Sequence, residues 1–248
     1  MLNLAGLGNR ASHLHERMDD ERAPLVYLHN TYRDFYHLNR LISQWRWIYR
    51  HELAPLFNEQ AHKTFTLLDV GCGGGDIAYY LLKWSRQDGF KVHITAIDLD
   101  ERAIHWATKR YEHIAFRHTS TRTLVEENRH FDVVINNHVL HHLSDAEIPV
   151  FLEECQQLGT KVICNDLERH PISYLMYSIC FPLRFRKSFI YEDGRMSIQK
   201  SFTKQELQTI SPTGWRVRRL FPFRLLALYH PLPIIDESSR TSTQEVSG

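Results

Sequence analysis

Between Leu67 and Asp76 the chain runs Leu67-Leu68-Asp69-Val70-Gly71-Cys72-Gly73-Gly74-Gly75-Asp76, four glycines set between an apolar run and a stretch of helical periodicity. Glycine lets the backbone turn sharply and lets a ligand approach it closely, since no Cβ stands in the way. The preceding run, Phe65 to Val70, reads as a buried strand. The following segment, Asp76 to Ser85, opens with an acid where the helix dipole favours one and places Ile77, Tyr80, Leu81 and Trp84 on one face. A strand, a glycine turn and a helix in that order predict a ligand-binding corner of an α/β sheet.

The rest of the chain extends the alternation. Further β-rich runs lie at Val92 to Asp98, Ile114 to His118, Phe131 to Asn136 and Lys161 to Asp166, and helical patterns follow at Asp100 to Tyr111 and Ser144 to Leu158. Such alternation predicts an α/β domain with a parallel sheet. Two strands around Pro222, Trp215 to Phe221 and Phe223 to Tyr229, read as an antiparallel pair. Before the first strand, Leu28, Tyr32, Phe35, Leu38, Ile42, Trp45, Ile48 and Leu56 recur at mostly helical spacing, predicting one or two helices.

A length of 248 residues suits one large domain with a small cap. The expected organisation is N-terminal helices over 1–63 that contribute to a substrate cap, a core over 64–235, and a polar, disordered tail over 236–248. Within the core, 171–201 is too long for an ordinary connection. Its Tyr174, Leu175, Met176, Tyr177, Ile179, Phe181, Leu183, Phe185, Phe189 and Ile190 read either as an apolar lid over a substrate or as an extra helix closing the core. Arg184, Arg186 and Lys187 beside them are too few for firm membrane attachment.

Spacing separates the ligands such a glycine turn can hold. A triphosphate loop ends in Gly-Lys-Ser/Thr, whereas Gly75 is followed by Asp76 and Ile77. A dinucleotide fingerprint beginning at Gly71 and Gly73 would put Asp76 in its last position, a carboxylate facing pyrophosphate. An acid-led turn, Asp69 before Gly71 and Gly73, suits a cationic ligand without phosphate, and S-adenosylmethionine carries both an ammonium and a sulfonium. The second strand ends in Asp98, which can accept both hydroxyl hydrogens of a ribose, with Leu99 beside the adenine. Asp98 or Asp100 can equally serve as a helix N-cap.

These residues resemble motif I and the following acidic motif of class I S-adenosylmethionine-dependent methyltransferases. The resemblance spans roughly Arg10 to Tyr229 and is closest to the ubiquinone/menaquinone-biosynthesis type, in particular to bacterial methyltransferases associated with type III polyketide synthases. Stretches at Glu16 to Asp20, Asn165 to Pro171, and Asp193 to Ser197 leading to Ser201 to Thr203 share in it. It implies a Rossmann-like, mostly parallel seven-stranded sheet whose last strand is antiparallel. It further implies that Asp69, Gly71, Cys72 and Gly73 line the methionine part of the cofactor, that Asp98 and Leu99 hold the ribose and adenine side, and that Asn137 and His138 line the pocket near the sulfonium. Where many relatives place an Asp for the adenine amino group, this chain has His118-Thr119-Ser120-Thr121, so the bond falls to Thr119, Ser120 or a backbone carbonyl.

Methyl transfer needs alignment and exclusion of water more than it needs many catalytic groups. A phenol or enol acceptor gains from a base, and the fourth strand runs into His138, His141 and His142 at the binding edge of the sheet. We therefore expect His142 or His141 to contact the acceptor. His138 and His142 have i, i+4 spacing, but no Glu or Cys joins them locally, so no metal is expected. The four cysteines form no ligand pattern or disulfide framework, which together with the absence of a signal-like or membrane-spanning apolar run gives a cytoplasmic expectation.

The expected activity is transfer of methyl from S-adenosylmethionine to a small hydrophobic phenolic, polyketide or quinone-like acceptor, on oxygen in preference to carbon. The other readings are a non-catalytic cofactor-binding module and a methyltransferase acting on protein or nucleic acid. A net charge of +1 and the lack of a basic stripe speak against nucleic acid. Asn136-Asn137-His138-Val139 also stands where an amino-methylating Asn/Asp-Pro-Pro-Tyr/Phe signature would follow the fourth strand.

Overall fold

The computed structural model describes residues 7–181, 185 and 187–230; the tail from 236, and Leu183, Arg184 and Arg186 of the insertion, lie outside them. Seven strands form one sheet: β1 (Thr64–Val70), β2 (Lys91–Asp98), β3 (Ile114–His118), β4 (Phe131–Asn137), β5 (Gly159–Leu167), β6 (Arg216–Leu220) and β7 (Arg224–Tyr229). Their order is β3-β2-β1-β4-β5-β7-β6, with β7 antiparallel to both neighbours and the remaining pairs parallel. This is the seven-stranded Rossmann-like architecture expected from the sequence.

The near-continuous apolar runs of the central strands follow from burial on both faces. Leu67, Val133, Ile135 and Ile163 point into one cluster, while Leu68, Val134, Val162 and Cys164 point into the other. Helix α4 (Asp76–Gln87) covers the first face through Ile77, Tyr80, Leu81 and Trp84. Helix α7 (Glu147–Leu158) covers the second with Ile148, Leu152, Cys155 and Leu158, residues spaced as one helical stripe. Helix α5 (Glu101–Arg110) packs on β3, and the short α6 (Thr121–Glu126), which the sequence pattern did not single out, precedes β4.

The N-terminal segment departs from a simple helical face. Helix α1 (Leu25–Ile42) ends before Gln44, whose φ of +61° breaks the chain, and α2 (Trp45–Ile48) passes through a π turn, Tyr49–Leu53, into α3 (Ala54–Glu59). The widened turn rotates the buried face. Tyr49, Leu53 and Phe57 enter the core while Leu56, expected inside, is only half-buried; Phe35 and Ile42 of α1, upstream of the turn and also expected inside, are half-buried too, Phe35 as part of the crevice wall. Hydrophobic spacing cannot anticipate a π turn, because the pattern is read at a constant period.

The 171–201 insertion contains α8 (Pro171–Cys180) and α9 (Ile190–Lys200). Tyr174 packs with Leu7 and Ile198, and Phe189 packs with Ala23, Leu28 and Tyr32. Helix α10 (Lys204–Ile210) follows, closed by a reciprocal capping box between Thr203 and Glu206. Among the described residues, no helix is long and apolar enough to cross a membrane.

Leu68 is fully buried in the centre of the sheet. Leu68→Ala is expected to cost roughly 2–5 kcal/mol, measured by urea denaturation. Thr203→Ala, which removes only the cap, is expected to cost about 1 kcal/mol.

Candidate active site

The strand order reverses direction between β1 and β4, and the glycine turn leaves β1 at that point, the usual binding crevice of an open α/β sheet. Gly71 and Gly73 have φ of +67° and +50°, in the left-handed region. A Cβ on Gly71 would meet Val139 Cγ2 at 2.5 Å, whereas one on Gly73 would meet nothing within 4 Å. Gly71 is thus required by its neighbour, and Gly73 leaves an open face for a ligand.

Asp98 pins this turn. Its Oδ2 accepts the Gly73 amide at 2.7 Å and its Oδ1 accepts the Asp100 amide at 2.9 Å. Burial raises the Asp98 pKa, opposed by these amides. The helix-cap alternative falls to Asp100 instead, which accepts the Arg102 amide at 2.8 Å at the start of α5. The Cys72 amide is taken by the Ile97 carbonyl at 3.0 Å, so Cys72 lines the crevice without offering that donor.

The crevice has a volume of about 770 Å³. Its walls carry eight carboxylates, those of Glu16, Asp19, Glu21, Asp69, Asp76, Asp98, Asp100 and Glu101, against one arginine, Arg102. Asp69 is the extreme case. It is 1% exposed and neither carboxylate oxygen has a hydrogen-bond partner. Burial, with Asp76 and Asp98 adding to it, lifts its pKa well above the usual carboxylate range. Asp76 accepts a 3.1 Å bond from Asn39 of α1, and burial raises its pKa to about 6.

A strap formed by residues 10–24 roofs the crevice. The Arg17 and Met18 amides donate to Asp193 of α9 at 2.9 and 3.0 Å, and Arg102 donates to the Asp20, Glu21 and Met18 carbonyls at 2.9, 3.1 and 3.2 Å. Arg10 holds the strap's beginning to the Lys200 carbonyl at 2.6 Å and to Asp145 at 2.7 Å. Burial lifts Asp193 to a pKa of about 7 despite the two amides. Of the insertion's described residues only Ser197 lines the crevice, which corrects the lid expectation for its aromatics. Met176 and Ile179 face solvent, and Tyr174 and Phe189 instead hold the strap and α1 in place.

The three histidines have different surroundings. His138, at φ +61°, turns its ring to Arg224, with Nε2 2.5 Å from Nη1. Burial, and then the Arg224 charge, hold its pKa well below the usual value, so it is neutral. His141 is buried with Nδ1 2.7 Å from Asp166 and Nε2 3.4 Å from Glu16. Burial alone would lower its pKa, but the two carboxylates raise it to about 9. Both ring nitrogens of His141 are thus taken up by carboxylates, an arrangement that favours its charged form and leaves neither nitrogen facing a methyl acceptor. His142 is partly exposed to the crevice, with Nδ1 3.1 Å from Asp19 and 3.3 Å from the Lys200 ammonium, and Nε2 3.8 Å from Glu16.

Glu16, His141 and His142 place possible metal-ligand atoms within 4.8 Å of one another. The Lys200 ammonium, 3.1 Å from Glu16, supplies positive charge there. Burial works against the ionised Glu16, yet His142, His141 and Lys200 together hold its pKa well below the usual range. A divalent ion would have to compete with the Lys200 ammonium and the His141 imidazolium.

The other expected residues also border the crevice. The Leu99 side chain is exposed, Thr119 lies at the end of β3, and the Ser120 hydroxyl caps α6 by accepting the Thr123 amide at 3.1 Å. The Asn137 side-chain oxygen, Oδ1, accepts from the side chains of Trp45, Arg224 and Asn165 at 2.9, 3.0 and 3.2 Å. Sequence reasoning assigned no role to Glu16, Asp19, Lys200 or Arg224. Glu16 and Asp19 were marked only as part of a stretch that shares in the resemblance, and Arg224 carried a physical signal, a charge at the head of the apolar run of β7.

Residues 67–161 match a family profile described as a methyltransferase domain. The ubiquinone biosynthesis O-methyltransferase of Roseobacter denitrificans is 33% identical over 129 residues, 49% of this chain and 48% of the relative. Its namesake in Dinoroseobacter shibae is 33% identical over 119 residues, 46% of each chain. The chain thus matches about half the length of these curated relatives. Among solved structures, the plantazolicin methyltransferase BpumL in complex with SAH aligns with a TM-score of 0.55 at 16% identity, over 84% of this chain and 95% of that one. The likeness shows the fold, and with the domain match it bears out the class I methyltransferase resemblance.

A buried acid whose folded pKa is raised contributes stability below its unfolded pKa, near 4, and that contribution is lost as pH climbs to the folded value. Asp69→Asn removes the neutral-pH penalty. The ligand-free variant is expected to melt about 2–4 °C higher at pH 7, the shift that ~1 kcal/mol produces in a domain of this size, checked by calorimetry. Asp193→Ala is expected to speed hydrogen exchange at the Arg17 and Met18 amides about tenfold or more, since each loses a bond to a charged group.

Proposed function

We propose, with residues 67–161 as its methyltransferase domain, that the protein transfers a methyl group from S-adenosylmethionine to an oxygen of a small hydrophobic phenolic, polyketide or quinone-like acceptor. One observation carries the cofactor: a fully buried, unpartnered carboxylate at the head of a glycine turn, in a crevice walled by acids. Such a group is costly unless it meets a cation.

Asp69 would draw in the ammonium end, and the open face at Gly73, with Gly71 and Cys72, would lie along the methionine chain. Each oxygen of Asp98 already holds one amide but keeps acceptor capacity for a ribose hydroxyl. Leu99 would cover the adenine. Thr119 and backbone groups are better placed than Ser120 to read its edge, because the Ser120 hydroxyl is committed to its helix. Asn137 and His138 would border the sulfonium end. When bound, the cofactor supplies an electrophilic methyl that needs no further activation.

His142 is the base. It stands at the crevice wall with Asp19 and Glu16 beside its two ring nitrogens, carboxylates that would stabilise the positive charge gained when it takes the acceptor's hydroxyl proton. Against its burial, His142, His141 and Lys200 together keep Glu16 ionised. The strap excludes water from the reacting groups. Oxygen is favoured as the acceptor atom by the relatives named O-methyltransferases. The acidic walls repel a phosphate backbone, which favours a small acceptor over nucleic acid.

Tritiated methyl transfer to a panel of phenols, set beside calorimetric binding of S-adenosylmethionine and S-adenosylhomocysteine, tests this reading. His142→Ala is expected to lower turnover about 10²–10⁴-fold while cofactor affinity is kept. Asp69→Asn is expected to weaken S-adenosylmethionine binding about tenfold or more, the loss of one charge-assisted contact. Failure of the folded protein to bind either cofactor form would overturn the proposal.

A further inference from the structure

Where α1, α2 and α4 meet, a second recess of about 340 Å³ is lined by Arg40, Arg46, Tyr80, Lys83, Trp84 and Gln87. It shares no lining residue with the acidic crevice, and its charge is opposite. Tyr80, Lys83, Trp84 and Gln87 follow one another at i, i+3, i+4 and i+7, a single face of α4. The left-handed residue Gln44 turns the chain between α1 and α2, so that Arg40 and Arg46 both reach this face.

Three cations converge here without a counter-ion. Among the described residues, none of Arg40, Arg46 and Lys83 has a carboxylate within 4.0 Å or a side-chain hydrogen bond. The neighbouring acid, Asp88, accepts the Tyr49 hydroxyl at 2.7 Å. The Arg46 guanidinium lies 4.9 Å from the Trp84 ring centre, and its Nη1 is buried with no hydrogen-bond partner. A buried N–H of a charged group without an acceptor is costly, and like charges that share a recess add to the cost. Both costs disappear when an oxyanion enters.

We propose that this recess binds the phosphate of a small, soluble phosphate monoester. Two guanidinium forks and an ammonium match a tetrahedral dianion better than they match a single carboxylate, because a fork offers paired donors and the charges sum to more than one. The Gln87 amide adds a neutral donor, and the edges of Tyr80 and Trp84 receive the apolar part of the ester. The Tyr80 hydroxyl is already committed to the Tyr36 carbonyl at 3.0 Å and presents only its ring.

The test is calorimetric titration of the whole protein with phenyl phosphate, alongside ³¹P shifts of the same probe. Binding that weakens with added salt is expected, and Arg46→Met, which keeps the packing on Trp84, should weaken it at least about tenfold. The surface pair Arg40→Gln with Lys83→Gln should produce a comparable loss and decides the question if the Arg46 variant does not fold. S-adenosylhomocysteine uptake should be unchanged in each folded variant, because the two cavities have no residue in common. The proposal is overturned if phenyl phosphate does not bind, if both variants bind it as tightly as the natural chain, or if only vesicles containing phosphatidic acid are bound.

Discussion

Carboxylate charge buried at the carboxyl edge of the sheet is the constraint around which the rest of this structure is arranged. Glu16, Asp69, Asp76 and Asp166 are buried there and Asp98 is half-buried, and they are handled differently. Asp98 is satisfied by the Gly73 and Asp100 amides, Asp166 by His141, and Glu16 by Lys200 with the adjacent histidines. Asp69 alone is left without a partner. Because a lone buried charge is expensive in a low dielectric, the compensated acids read as architecture and the uncompensated one as a place kept for something absent from the polypeptide.

The parts of this arrangement that were legible in the sequence are local ones. The glycine turn, the acid closing β2 and the two-sided apolar runs each depend on residues within one strand–turn–helix unit, so spacing alone carries them. Long-range contacts are not visible in that way. The bond from Arg10 to the Lys200 carbonyl joins residues 190 positions apart, and that between Asp193 and Arg17 joins residues 176 apart. The strap's place over the crevice follows from such pairs, and no periodicity records them. The π turn at Tyr49–Leu53 escaped for a different reason, since it changes the period from which a helical face is read.

The segment from His138 to His142 shows how little residue type says about protonation. Three imidazoles within five positions are divided by their surroundings. The positive φ at His138 swings one ring to the Arg224 guanidinium, which excludes a second positive charge. The 3-10 turn Leu140–His142 then directs His141 inward between two carboxylates and leaves His142 at the rim. Arg224 itself stays charged, since burial lowers its pKa only to about 10 with Asp166 nearby. A left-handed residue and a single 3-10 turn therefore send three neighbouring imidazoles to a guanidinium, to a pair of buried carboxylates and to the crevice rim.

The strap also bears on how the molecule is assembled. Its anchors lie in α5, in α9 and beside the 3-10 turn, so the strap cannot settle until nearly two hundred later residues have been made and folded. Contacts of such sequence separation form late, because ordering the intervening chain is costly before they can reward it. During synthesis the glycine corner and its neighbouring strands can form early, yet they remain uncovered until the segment containing Lys200 has left the ribosome. Synthesis through Lys200 and closure of the crevice are thereby joined in time.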